Sequence, residues 1–250
     1  MVSAVDVGVD RGRRSRWTLS LYPEAGEAGG CLRVPSVAES RGRRPDPERA
    51  LAEAARRARG MIRRYCAANR LNRLGTLTYA GEGCHDPVAL RSDVAVFFRR
   101  LRSDLGGDAF PYLWVPEWHP GGHGLHLHFA VGRFVRRSLI EEAWGRGIVH
   151  IKLLGDLPVG SGTLEEARLA ARYLGKYAGK AVEGDRPAGL HRYEVAQGFK
   201  PQSLYCDGRT VEDVLGQASA FMGAQPSHVW HSSRADGWQG PPACWAAWDA

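Results

Sequence analysis

What this 250-residue sequence has little of narrows the field first. It has five cysteines, Cys31, Cys66, Cys84, Cys206 and Cys244, which are scattered and form no CxxC pair. That excludes a disulfide scaffold and a cysteine zinc ribbon, and it suits a reducing cytosol. No apolar run reaches the roughly 18 residues that a membrane-spanning helix needs. The start, Met1 to Asp10, has neither the basic residues nor the apolar stretch of a signal peptide. A cytoplasmic protein without a membrane partner is expected. No internal repeat stands out, and no G-x-x-x-x-G-K-[ST] phosphate loop occurs.

What is present describes a folded, unevenly charged chain. Hydrophobic residues make up 44%, enough for a core. The length allows one medium domain or two small ones. The net charge is +7, from 34 Lys+Arg against 27 Asp+Glu. Residues 41 to 73 hold eleven arginines and three acids, a net +8, so the other 217 residues sum to −1. A concentrated basic block points to a polyanion partner, and a solvated helix face explains it equally well.

Periodicity predicts the elements. Trp17 to Tyr22 alternates as a strand, 24–48 reads as loop, and 47–69 reads as a helix with Pro47 near its start. Strands are predicted over 73–79, 112–117, 123–131 and 147–153, with a Pro120-Gly121-Gly122 turn between the middle pair. Helices are predicted over 88–105, 138–144 and 163–182, the last opened by a Thr163/Glu166 capping box. The signal then weakens to loop or strand over 191–201 and a helix over 211–222. The last 21 residues carry four of the eight tryptophans and read as an extended tail. From residue 73 the order is β-α-β-β-α-β, then α. That is an α+β, ferredoxin-like antiparallel sheet. The expected division is an N-terminal extension with a basic helix (1–70), a central domain (71–200) and a Trp-rich C-terminal extension (201–250).

The stretch His123-Gly-Leu-His126-Leu-His128-Phe-Ala-Val131 carries the clearest chemistry. Alternation puts Leu125, Leu127, Phe129 and Val131 on a core face and His126 and His128 on the other, roughly 6.6 Å apart. Two imidazoles at that spacing can converge on one ion. Glu117, on the preceding strand, would complete a set of two imidazoles and a carboxylate, which leaves positions open for substrate. His119 and His123 are alternatives. Alternation places Glu117 with Leu113 and Val115, so a bulge near Pro116 is expected to aim it inward. The plain alternative is a solvated histidine face.

A second constellation lies on the 163–182 helix. Tyr173 and Tyr177 are four residues apart and share a face. Lys176 and Lys180 follow each by three. The tyrosines flank an apolar stripe of Ala167, Ala171, Leu174, Ala178 and Ala181. A phenol with a pKa near 10 is a poor nucleophile until a cation or metal activates it. Attack on phosphate is the chemistry such a pair permits. A packing pair that stabilises the helix is the alternative.

Three segments in order, Thr76-Leu-Thr-Tyr79, His126-Leu-His128 and Tyr173-Leu-Gly-Lys176-Tyr177, resemble the motifs of rolling-circle replication initiators. These are the Rep branch of the HUH endonucleases, and this chain resembles the two-tyrosine plasmid and phage type over roughly residues 70 to 182. The resemblance implies a divalent ion, Mn²⁺ or Mg²⁺, on His126, His128 and Glu117. It implies that a tyrosine nicks single-stranded or hairpin origin DNA, leaving a 5′-phosphotyrosine link and a 3′-OH primer. The second tyrosine would close the circle, with Lys176 and Lys180 holding phosphate oxygens or lowering a phenol pKa. Arg56, Arg57, Arg63 and Arg64 would hold duplex or hairpin DNA through phosphates. Without a phosphate loop, a host helicase and single-strand binding protein are expected partners. Other readings are an HUH transposase or relaxase and a non-catalytic sheet that stacks bases on Tyr112, Trp114 and Trp118. A 2-His-1-carboxylate iron oxygenase is a further one, but it gives the basic block no role.

Overall fold

The computed structural model describes residues 15–34, 46–152, 162–180 and 189–249. In chain order the elements are β1 (Arg16–Tyr22), β2 (Glu27–Arg33), α1 (Pro47–Ala68), β3 (Arg73–Tyr79), α2 (Pro87–Asp104), β4 (Tyr112–Trp118), β5 (Leu125–Val131) and α3 (Arg137–Trp144). They continue as β6 (Gly147–Lys152), α4 (Thr163–Lys180), β7 (Glu194–Val195), β8 (Leu204–Gly208), α5 (Val211–Met222), β9 (His228–His231) and β10 (Ala243–Ala247). The fold is α+β, with two antiparallel five-stranded sheets among the described residues. They belong to two compact units, a central one over 45–203 with 22–26, and a terminal one from both chain ends. These units cut across the boundaries 1–70, 71–200 and 201–250. Composition registers local segments, whereas the grouping follows strand pairing between distant ones.

In the central unit the sheet order is β6-β3-β5-β4-β7. Its first four strands, with their helices, form the expected ferredoxin-like arrangement, and β7 adds an edge on β4 through Leu113↔Val195. Two helices start alike. Asp46 caps α1 by accepting from the Glu48 N–H, and Asp86 caps α2 by accepting from the Val88 N–H at 2.8 Å. Each is followed by proline at the first helical position, where a missing N–H costs nothing.

The sheet is buried on both faces, which differs from the single core face expected from alternation. One face packs Leu77, Leu125, Leu127 and Phe129 against Val94, Phe97 and Leu101 of α2 and Ile140 and Trp144 of α3. The other packs Leu74, Leu113, Val115 and Ala130 against Ile62 and Tyr65 of α1 and Ala170, Ala171, Leu174 and Ala178 of α4. Every residue of β5 is therefore buried. The expected bulge near Pro116 is absent. The β4–β5 register runs unbroken through Leu113↔Ala130, Val115↔His128 and Glu117↔His126. Directly opposed residues share a face, so Glu117 already lies on the histidine side.

The helix starts also depart in one place. Thr163 is the first residue of α4 rather than a reciprocal cap. The Glu166 carboxylate turns away and accepts from the Asn72 amide at 2.6 Å. The predicted ends at Leu153 and Val182 lie outside the described residues.

The terminal unit has the sheet order β8-β1-β2-β10-β9 with α5 beside it. Leu19, Leu21, Cys206, Val214, Ala218, Ala246 and Trp248 form its core. Two expectations change here. Residues 27–33, expected as loop, form β2, because a Cβ at Gly30 would collide with the Thr18 carbonyl and only glycine lets the strands meet. The expected C-terminal tail contains β9 and β10, with Trp230 directly opposite Trp245. A Thr210/Asp213 capping box opens α5 at the expected place. All five cysteines are free, and no described helix is long and apolar enough to cross a membrane.

Candidate functional site

The β4–β5 register brings three ligand-type side chains to one point. Glu117 Oε2 lies 3.1 Å from His126 Nε2 and 2.9 Å from His128 Nε2. One ligand atom from each of the three residues falls within 4.8 Å of the others. The imidazoles are 6% and 5% exposed, so the carboxylate meets them away from bulk water. His119 and His123 stand aside. The His119 ring is 5.4 Å from that of His126, but its Nδ1 accepts from the Gly121 N–H. His123 Nε2 lies 3.0 Å from the Tyr79 carbonyl.

The far nitrogens of the pair differ. His128 Nδ1 lies 2.9 Å from the Thr76 hydroxyl, which β3 sets directly opposite it. His126 Nδ1 is buried and meets no hydrogen-bond partner among the described residues.

The tyrosines of α4 lie over this cluster. The Tyr177 ring stacks on the His128 imidazole at 3.8 Å, and the Tyr173 ring meets it edge-on at 5.9 Å. The two hydroxyls are hydrogen-bonded at 2.8 Å. Burial above all, then the Tyr173 hydroxyl and the charges of Tyr173 and Glu117, push the Tyr177 phenol above its ordinary value of 10.0. A neutral phenol is therefore the resting form. The cation nearest the pair is not one expected from the helix. Lys152, at the end of β6, holds its Nζ 4.8 Å from the Tyr173 ring centroid. Lys176 is exposed, and the Lys180 side chain lies outside the described residues.

The histidine face continues across the sheet. Thr76 and Thr78 lead to His150 and Ile148 on β6, in the rows Thr76↔His150 and Thr78↔Ile148. Both are exposed, Ile148 at 66%, so the face is accessible on that side. The opposite face offers no base-stacking platform of the kind that exposed aromatics would give. Trp114 is buried there, and Tyr112 stacks on Phe98 at 3.6 Å.

The basic block is divided between surface and fold. At 100° per residue, Arg56, Arg57, Arg63 and Arg64 share one side of α1, opposite the buried Ala58, Ile62 and Tyr65. Arg56 and Arg57 are exposed, and the Arg64 guanidinium lies 4.5 Å over the Tyr22 ring. Other arginines serve the fold: Arg70 donates to the Glu24 and Ala67 carbonyls, and Arg73 lies over Phe134. Arg41, Arg43 and Arg44 are outside the described residues.

Residues 72–182 match the family described as Replication-associated protein, ORF2 type. The matched stretch holds all three motif segments, the Glu117–His126–His128 cluster, Lys152 and the tyrosine helix. It leaves out α1 with its arginines and the whole terminal unit. No curated protein and no solved structure matches the chain. The match supports a replication-initiator-type protein.

Two groups beside the site escape a reading of the sequence. Lys152 arrives from a strand end, which no local motif marks. Thr76 stands in the sequence only as part of a strand motif, although pairing of 73–79 with 125–131 sets it against a histidine.

Proposed function

We propose that this protein initiates rolling-circle DNA replication by nicking and rejoining one DNA strand at a specific site. The observation that carries this is the contact of the Tyr173–Tyr177 pair with the Glu117–His126–His128 cluster. A nucleophile and an ion-type donor set meet on one face, inside the stretch similar to replication-associated proteins.

Two imidazoles and a carboxylate fit a divalent ion, and a carboxylate with open positions suits Mn²⁺ or Mg²⁺. When bound, the ion supplies Lewis-acid polarisation of the scissile phosphate. The chain's own residues do the rest. The phenol oxygen of one tyrosine forms a bond to phosphorus, and the bond from phosphorus to the 3′ oxygen breaks. The phenol proton passes to solvent, and the leaving 3′ oxygen takes up a proton. A 5′-phosphotyrosine and a free 3′-OH result. The neighbouring tyrosine makes the second attack that rejoins the strand. Lys152 stabilises negative charge on the Tyr173 side, while Lys176 and Lys180 hold phosphate oxygens. The burial that raises the Tyr177 phenol makes such cations necessary, since each must help a neutral phenol lose its proton.

The exposed arginines of α1 hold duplex or hairpin origin DNA through its phosphates, without reading sequence. A host helicase and a single-strand binding protein open and protect the strand.

The deciding experiment incubates the full chain and Mn²⁺ with labelled single-stranded oligonucleotides that tile the DNA beside its coding sequence. A covalent adduct that survives denaturation is expected. The Tyr173→Phe/Tyr177→Phe variant should form none, and an adduct there would overturn the tyrosine assignment. Joining of two different element ends would instead favour a transposase.

A further inference from the structure

His126 and His128 present their Nε2 atoms to the same carboxylate oxygen, yet only His128 is held from behind. Its Nδ1 meets Thr76 Oγ1 at 2.9 Å, while His126 Nδ1 meets nothing among the described residues. The threonine is well fixed for this. β3 is paired on both sides, with Thr76 opposite His128 on β5 and opposite His150 on β6. A β-branched side chain is also stiff about its first torsion.

A hydroxyl both donates and accepts. That matters because the two ring nitrogens exchange roles when a cation arrives. With a proton on Nε2 facing Glu117, the Nδ1 lone pair accepts from the threonine O–H. With a cation on Nε2, the proton must sit on Nδ1 and the hydroxyl must accept it. Thr76 can serve both states by turning its O–H, with no movement of backbone or ring.

We propose that Thr76 is a positioning residue for His128, holding the ring and accepting its Nδ1 proton so that the Nε2 lone pair is free for a divalent ion. This rests on the cluster being a divalent-ion site. It also makes the two histidines unequal: His128 is the pre-oriented ligand and His126 the unsupported one.

Titration calorimetry of the full chain with Mn²⁺ tests it. An outer partner of a metal-bound histidine is typically worth about 10- to 100-fold in affinity. Thr76→Val should therefore weaken Mn²⁺ binding about tenfold or more, and Thr76→Ser should restore it to within about twofold. In a His128→Ala background Thr76→Val should change nothing further, because its effect passes through that ring. A measurement on unaltered protein guards against misfolded variants: nitrogen NMR of the histidines with Zn²⁺ bound should show His128 protonated at Nδ1. Wild-type affinity in Thr76→Val, failure of Thr76→Ser to rescue, or metal on His128 Nδ1 would each overturn the proposal while leaving the ion site intact. No Mn²⁺ binding by the wild-type protein would overturn both.

Discussion

The Tyr177 ring lies on the His128 imidazole with 20° between their planes. One helix residue and one strand residue, 49 positions apart, are thereby locked as a unit. The tyrosine pair is thus tied to the ion-type cluster through Tyr177, and Tyr173 is the member approached by a cation.

That asymmetry separates the two tyrosines, which are alike in local sequence. Lys152→Ala should slow adduct formation more in a Tyr177→Phe background, where only Tyr173 can attack, than in Tyr173→Phe. Single-turnover gels on the four proteins measure this. Equal slowing in both backgrounds would detach Lys152 from Tyr173.

The ion site makes a second expectation. Removing a ligand should cost more than the roughly 10- to 100-fold typical of an outer partner. Glu117→Ala should lose at least about a hundredfold in Mn²⁺ affinity, and a chelator should abolish the adduct in the wild type. Adduct formation that persists in excess chelator would exclude a metal-dependent step.

The arginine side of α1 should act through charge alone. Replacing Arg56, Arg57, Arg63 and Arg64 with neutral residues should make the salt dependence of hairpin binding shallower, by about 0.9 for each phosphate that is no longer neutralised. Cleavage of a short single strand at saturating concentration should be spared. Filter binding across a salt series, beside a nicking assay, shows whether the two effects part.

That helix also has a buried side, which makes it more than a basic arm. Ile62 and Leu127 are both fully buried, one on α1 and one on β5. Truncating either to alanine should cost about 2–5 kcal/mol. Urea unfolding in which Ile62→Ala is silent would mean that α1 docks only loosely.

Alkaline pH should loosen the fold. Burial is the main cause that raises the Tyr65, Tyr79 and Tyr177 phenols above 10.0, and it lifts the Cys244 thiol to about 11. Raised acids stay protonated in the folded chain while the unfolded chain releases its protons near their ordinary values, about 8.5 for thiols and 10 for phenols. Stability is then fully present below those values and falls as pH climbs past them. Urea midpoints that are flat from about pH 8 to 11 would contradict this.

How much of this is legible in the sequence depends on the range of each signal. Neighbours at spacing two on a strand or four on a helix are set by local geometry, so the closeness of His126 to His128 and of Tyr173 to Tyr177 follows directly. The side on which Glu117 falls depends on the β4–β5 register and on the absence of an exposed face. Alternation alone, with one core assumed, demands a bulge that two helical layers make unnecessary. Gly29 and Gly30 read as loop because glycine marks turns, while here small size permits strand contact. The partners of Thr76 and Lys152 are distant in sequence, and only pairing with β5 and packing on α4 reveal them.

The terminal sheet has a consequence for how the chain is made. Its strands β1 and β2 leave the ribosome early, yet β8 and β10, which pair with them, come after the entire central unit. The early strands must wait with open edges while everything between is synthesised. Such long-range pairing is slow and exposes edges to unwanted association. A nascent chain released before Ala243 should therefore carry a finished central unit beside an unfinished sheet, and chaperone capture should concentrate on β1 and β2.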